Sequence, residues 1–260
     1  MRRFFYTGPD VLAVGKQIEL DNNILQHWCK VLRANIGDKA VLFDGQGGEY
    51  IVTLTKMSKK TAYVSVDDFL PLNRNLPFKV TIGLVMSRGD RMDYAIQKSC
   101  EMGVFALQLL TSHHSEVRLK PDQITKKLNH WQGVAKSACE QCGLNLIPTI
   151  LPPLDIQDFI QNNNKTAKTK HASQKNTLKL VLAVPERLAS SQVFDHTKFD
   201  KNSDYCLLIG AEGGLSDDEL ALAYQNDFLA WQIGERVLRT ETAPVVALTA
   251  LQTLYGLSIA

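Results

Sequence analysis

From Val80 onward the sequence alternates strand-length apolar runs with helix-length amphipathic segments, and this alternation constrains the fold more than any other feature. Val80 to Met86, Val104 to Leu110, Leu178 to Val184, Tyr205 to Ile209 and Phe228 to Ile233 read as strands, several of them almost continuously apolar, as strands buried on both faces are. Between them, Asp90 to Met102 sets Met92, Ala95, Ile96 and Cys100 on one helical face and Arg91, Tyr94, Lys98 and Glu101 on another, before Gly103 ends the helix. A second helix, roughly Lys126 to Cys142, buries Leu128, Trp131, Ala135 and Ala138 and stops at Gly143. The expectation is an α/β domain with a largely parallel sheet.

The residues ahead of this domain have a different character. From Gln17 to Phe69, short extended runs are separated by turns, with Gly37-Asp38 and Asp44 to Gly48 as the strongest breaks. Val41 to Phe43, Tyr50 to Leu54 and Ala62 to Val66 are β-rich and too short for helices, so a small β-barrel is the natural reading. Leu70 to Pro77, with two prolines among turn formers, suits a linker. Two domains are expected, 1–72 and 73–260, the second carrying a polar, lysine-rich stretch at 161–177 that reads as a mobile surface insertion.

With 260 residues and 45% hydrophobic content, the chain can fill cores of this size. Lysine and arginine number 29 against 27 acidic residues, a net charge of +2, so any nucleic-acid surface must come from local clustering. Five scattered cysteines do not resemble the even framework of a small secreted domain and read as reduced thiols. No apolar segment of a signal peptide follows Arg2 and Arg3, and no apolar run is long enough to span a bilayer, so the cytoplasm is the expected address. Cys139-Glu140-Gln141-Cys142 has the spacing of half a zinc site, but neither it nor His113-His114 has ligand partners at suitable spacing, and no metal is expected.

The most informative stretch runs from Leu207 to Glu219. An apolar strand enters the turn Gly210-Ala211-Glu212-Gly213-Gly214, and Ser216 followed by Glu219 forms a capping box that starts the next helix. Three glycines let backbone N–H groups approach a ligand closely. Neither the Lys-Ser or Lys-Thr pair of a P-loop nor the Gly-x-Gly-x-x-Gly of a dinucleotide fold is present, and an adenosine ligand without phosphates would need neither. A second polar stretch, Gly234 to Ala243, sets Arg236, Arg239, Glu235 and Glu241 between apolar residues ahead of an apolar helix from about Pro244 to Leu257.

Together these stretches resemble one family, the RsmE-type methyltransferases of the knotted SPOUT class. The resemblance runs through Arg3-Phe4-Phe5, Val31-Leu32-Arg33, Gly37-Asp38 and Leu42 to Gly45. It continues in Met86 to Met92, Gln97-Lys98, Glu101 to Val104 and Ala138 to Gly143, and closes with Ile209 to Gly214 and Val237 to Ala243. It implies a trefoil-knotted α/β domain of SPOUT type behind a PUA-like, RNA-binding barrel. Residue patterns alone would not suggest the knot, since true knots are nearly absent from proteins. The resemblance also implies methyl transfer from S-adenosylmethionine to N3 of a uridine in small-subunit (16S) ribosomal RNA, by a homodimer whose contact includes the Pro244 to Leu257 helix.

The same resemblance implies cofactor contacts from Ala183, Ile209, Gly210, Glu212, Gly213, Gly214, Ile233, Gly234, Val237, Leu238 and Thr240. Arg239 is the candidate for stabilising charge on the uracil carbonyls, and Glu241 and Glu101 are candidate bases between which the sequence does not choose. RNA contacts are expected from Arg3 and Arg33 on the barrel and from Arg88, Arg91 and Lys98 around the first helix. The chain departs from the family at Ala211, where proline is common, and in Thr111 to Glu116, where histidine replaces the usual arginine. Two other readings are a non-catalytic ribosome-binding or assembly factor and a small-molecule methyltransferase without RNA contact.

Overall fold

The computed structural model describes residues 1–168, 175–182 and 193–257. The chain divides into two compact units, Met1–Asn75 with Lys136–Ile147 and Leu76–Ala135 with Pro148–Ala260.

In the first unit, β1 (Arg2–Phe5), β2 (Gln17–Glu19), β3 (Lys39–Phe43), β4 (Glu49–Met57) and β5 (Ala62–Leu70) form one sheet in the order β1-β3-β4-β5-β2. β1 runs parallel to β3, and the other pairs are antiparallel. Positions two apart, Ala40 and Leu42, Val52 and Leu54, Ala62 and Val64, point into a core that also holds Phe4 and Trp28. A short helix, α1 (Asn22–Ile24), capped by the Asp21 carboxylate, runs into a π-helical turn at Leu25–Val31 that lays Leu25 and Trp28 on this core. The sequence pattern missed it because a π turn departs from the 3.6-residue period that marks a helix.

Arg3 fixes the segment 136–147 within this unit. Its guanidinium pairs with the Glu49 carboxylate and donates to Asn145 Oδ1 at 2.7 Å and to the Gly143 carbonyl at 3.2 Å. Arg74 Nη1 adds a 3.0 Å bond to the same carboxylate. Burial alone would raise the Glu49 carboxyl, but the hydrogen bonds and charges of Arg74 and Arg3 outweigh it and hold the group below the ordinary glutamate range. Arg3, expected to face RNA, is thus a buried tie with only 12% of its side chain exposed.

The second unit is built on β6 (Val80–Val85), β7 (Ala106–Thr111), β8 (Thr149–Asp155), β9 (Thr177–Leu182), β10 (Asp204–Ile209) and β11 (Leu229–Trp231). Their order is β11-β9-β10-β6-β7-β8, and every pairing is parallel. The helices are α2 (Asp90–Glu101), α3 (Pro121–Cys142), α4 (Ile156–Lys168), α5 (Asp217–Gln225) and α6 (Ala243–Tyr255), with the last turns of α3 counted in the first unit. On one face of the sheet Val85, Leu110, Val181 and Leu208 pack with Phe159 of α4 and Leu220 of α5. The alternate positions Ile82, Leu84, Leu107, Leu109 and Leu207 are fully buried too, so both faces are covered, as the apolar runs require.

Three differences from the sequence expectations have physical causes. β8 went unrecognised because Pro152-Pro153 argues against a strand, but β8 is an outer strand, where a residue without an N–H is tolerated. α3 begins at Pro121 rather than Lys126, since a proline fits the first helical turn, where its missing N–H has no partner to lose. α4 runs through Lys168, so the first part of the expected surface insertion is helical: Ile156, Phe159 and Ile160 bury one face, and Gln161 and Asn162 are exposed. Residues 169–174 of that stretch lie outside the described residues.

Among the described residues, no helix is long and apolar enough to cross a membrane, and no cluster of His, Cys, Asp and Glu is arranged to hold a metal ion.

Candidate active site

The chain starts the second sheet at β6, grows outward through β7 and β8, and fills the other side with β9, β10 and β11. Ligands of open parallel sheets collect beyond the carboxyl ends of the strands. There β10 ends in the turn 210–214, whose first position is crowded by main chain: a Cβ on Gly210 would lie 3.0 Å from the Gly214 carbonyl carbon and 3.1 Å from Leu215 N, so the turn would have to shift to admit it. The turn closes with a 2.8 Å bond from Gly214 N to the Ala211 carbonyl.

The capping box expected at the start of α5 is present, with Glu219 Oε2 accepting from Ser216 N at 2.8 Å and Ser216 Oγ accepting from Glu219 N at 3.3 Å. Glu219 has a second task that the sequence did not suggest. Its Oε1 accepts from His113 N at 2.8 Å, so one buried carboxylate pins the loop after β7 to the glycine-rich turn. On the same side, His114 Nδ1 lies 3.3 Å from the Gly214 carbonyl.

The facing wall is the segment after β11, where Gly234 turns with a φ of +77°. Thr240 is buried in it and donates from Oγ1 to the Gly210 carbonyl at 3.2 Å, joining the two walls. Between them lies a cavity of about 300 Å³, floored by the strand ends Leu182, Ile209 and Trp231. Apolar Ile233, Val237 and Leu238 on one side and the main chain of the glycine turn on the other suit a flat heteroaromatic ring with polar edges. Of the expected cofactor contacts, Ile209, Gly210, Glu212, Gly213, Gly214, Ile233, Gly234, Val237, Leu238 and Thr240 all line it, and Ala183 lies outside the described residues. Leu182, Trp231, Arg236, Ala211, Leu215, Leu220 and Ala243 also line it and were not expected, although their place at a strand end could have revealed the first two.

The structure brings two of the three catalytic candidates together. Arg239 Nη1 stands 3.9 Å from Glu241 Oε1, the guanidinium largely exposed and the carboxylate nearly buried, and among the described residues Glu241 Oε2 has no hydrogen-bond partner. The turn between them is tight, with Thr242 N donating to the Arg239 carbonyl at 2.9 Å. Glu101 is elsewhere, on α2, with both oxygens 2.8 Å from Lys98 Nζ and Oε1 also bonded to Gln97.

The remaining basic candidates occupy different positions. Arg91 pairs with Glu212 of the glycine turn, Arg88 Nε lies 3.1 Å from Glu116 Oε2, and Lys98 is held by Glu101. Arg33 is exposed on the first unit, with a φ of +56°.

Residues 74–252 match the RNA methyltransferase domain family, and residues 20–67 match the RNA methyltransferase PUA domain family. The chain is 31% identical over 229 residues to ribosomal RNA small subunit methyltransferase E of Buchnera aphidicola subsp. Acyrthosiphon pisum, covering 87% of this chain and 84% of that protein. It is 30% identical over 227 residues to the protein of the same name from Bacillus subtilis, covering 87% and 86%. A solved ribosomal RNA small subunit methyltransferase E from Neisseria gonorrhoeae, bound to S-adenosyl methionine, superposes with a TM-score of 0.82 at 31% identity over 98% of each chain.

Proposed function

The chain belongs to the RNA methyltransferase family matched by residues 74–252, and we propose that it methylates N3 of a uridine in 16S ribosomal RNA, using S-adenosylmethionine. The observation that carries this reading is the cavity between the 210–214 turn and the 233–240 segment, closed by the bond from Thr240 to Gly210. Its donor set fits the cofactor: close main-chain approach at Gly210, an apolar slot of Ile233, Val237 and Leu238, and no phosphate cradle. S-adenosylmethionine, when bound, supplies a methyl group already made electrophilic by its sulfonium.

The chain's own residues then supply alignment, which is worth on the order of 7 to 11 kcal/mol when reacting atoms are held in line. As the N3–carbon bond forms and the sulfur–carbon bond breaks, the imide proton must leave, and negative charge spreads onto both uracil carbonyl oxygens. Glu241 is the favoured acceptor because, among the described residues, its Oε2 has no hydrogen-bond partner, whereas both oxygens of Glu101 are taken up by Lys98. Arg239 beside it offers an exposed guanidinium to the carbonyl oxygens.

For RNA, Arg33, Arg88, Arg91 and Lys98 are the proposed contacts, and Arg3 is left out because its side chain is largely buried against Glu49. The finer architecture follows the family resemblance: closure of the first unit into a PUA-like barrel over residues 1–72, a trefoil knot in 73–260, a homodimer using α6, and a cytoplasmic address. Val245, Val246 and Leu254 on α6, apolar side chains that are only partly buried, support the dimer. Calorimetric titration with S-adenosylmethionine tests the site: saturable binding that Gly210→Ala weakens at least about tenfold is expected. A folded protein that binds none would favour a non-catalytic ribosome-binding factor.

A further inference from the structure

Arg91 and Glu212 are in contact where two binding surfaces meet. Arg91 stands in the first turn of α2 with about half of its side chain exposed, and Glu212 belongs to the glycine turn. Among the described residues that line the cofactor cavity, Glu212 is the only carboxylate. The arrangement recurs three residues earlier in the chain, ahead of the helix, where Arg88 Nε lies 3.1 Å from Glu116 Oε2. Glu116 closes the segment whose His113 and His114 rest on Glu219 and Gly214. Two arginine forks that could take phosphate are therefore each matched by a carboxylate from a loop at the cofactor turn. Exposed pairs of this kind contribute little to stability and exchange partners readily.

We propose that Arg91–Glu212 is an exchange pair: a cationic cofactor competes for Glu212, an RNA phosphodiester competes for Arg91, and each ligand releases the residue that the other needs. Arg88 with Glu116 is the second prong of the same phosphate clamp. The inference rests on the methyltransferase reading above and adds to it a direct link between the two sites. By reciprocity, RNA and the cationic cofactor tighten each other's binding. The spent cofactor, S-adenosylhomocysteine, has lost the sulfonium charge and holds Glu212 less strongly, so RNA affinity falls once the methyl has been transferred.

The test is the affinity of the full chain for a 16S ribosomal RNA transcript, measured alone, with S-adenosylhomocysteine, and with a non-transferring analogue that carries a protonated amine in place of the methylsulfonium. The amine analogue is expected to tighten RNA binding about five-fold, and S-adenosylhomocysteine less. Glu212→Gln is expected to bind the transcript more tightly without cofactor, because Arg91 is then free. Arg91→Gln leaves the cavity wall intact and is expected to lose the coupling and to reduce the salt dependence of RNA binding by about one counterion. Coupling that persists in Arg91→Gln, or a wild-type protein that binds both ligands independently, overturns the exchange. A folded wild-type protein that binds neither transcript nor analogue overturns the methyltransferase reading itself.

Discussion

Thr240 Oγ1 donates a 3.2 Å hydrogen bond to the Gly210 carbonyl, so the segment after β11 is fastened to the end of β10 by a single buried hydroxyl. That bond ties the two walls of the cavity together. Thr240→Val keeps the shape but leaves a carbonyl without its donor, a loss of about 1 to 3 kcal/mol. S-adenosylmethionine affinity is expected to fall roughly tenfold or more, and Thr240→Ser should restore most of it. Calorimetric titration of the three proteins measures this.

Gly210 is needed for space. The Cβ of Gly210→Ala would press on main-chain atoms of Gly214 and Leu215 at 3.0 and 3.1 Å, and neither can swing aside as a side-chain tip would. The expected outcome is loss of cofactor binding by at least about tenfold, with the circular dichroism of the folded protein retained.

Arg239 and Glu101 should separate clearly in kinetics. Arg239→Ala removes the proposed charge stabiliser and is expected to lower kcat by about 10² to 10³, with cofactor affinity within a few-fold of wild type. Glu101→Gln alters a carboxylate already satisfied by Lys98 and Gln97 and should leave kcat nearly unchanged. Single-turnover methyl transfer measures both, and a large loss in the Glu101 variant would reassign the base.

The ties of Arg3 and Arg74 to Glu49 carry a pH signature in stability. The folded carboxyl is held below its ordinary value near 4.5, so its contribution is complete above that value and is lost as pH falls through the folded one. Glu49→Gln strands Arg3 without its counter-charge and is expected to destabilise the protein by about 3 kcal/mol at neutral pH. It should also make the acid limb of the thermal stability curve shallower. Melting temperatures across the acid range measure this, and an unchanged limb would rule Glu49 out.

The cavity wall was legible in the sequence because its information is local: glycines at a strand end, the spacing from Ser216 to Glu219, and a polar stretch ahead of an apolar helix. What escaped was long-range. Nothing near Glu219 indicates that its second oxygen reaches His113 N, and nothing near Arg3 announces Glu49 and Asn145. Arginine at a chain start reads equally well as an RNA contact or a buried tie, and only the fold decides. β8 was hidden by its prolines, which are tolerated only because the strand lies at the sheet edge, a property of topology rather than sequence. The strand alternation gave the parallel sheet but not its order, and the order sets the carboxyl ends of β9, β10 and β11 around one cavity.

The most direct measurement is transfer of labelled methyl from S-adenosylmethionine to small ribosomal subunits from cells that lack this activity, followed by nucleoside analysis of the RNA. Labelled N3-methyluridine at one site, lost with Arg239→Ala, is the expected result. Failure of folded protein with fresh cofactor to label the RNA, or label on any other base or atom, would contradict the proposal.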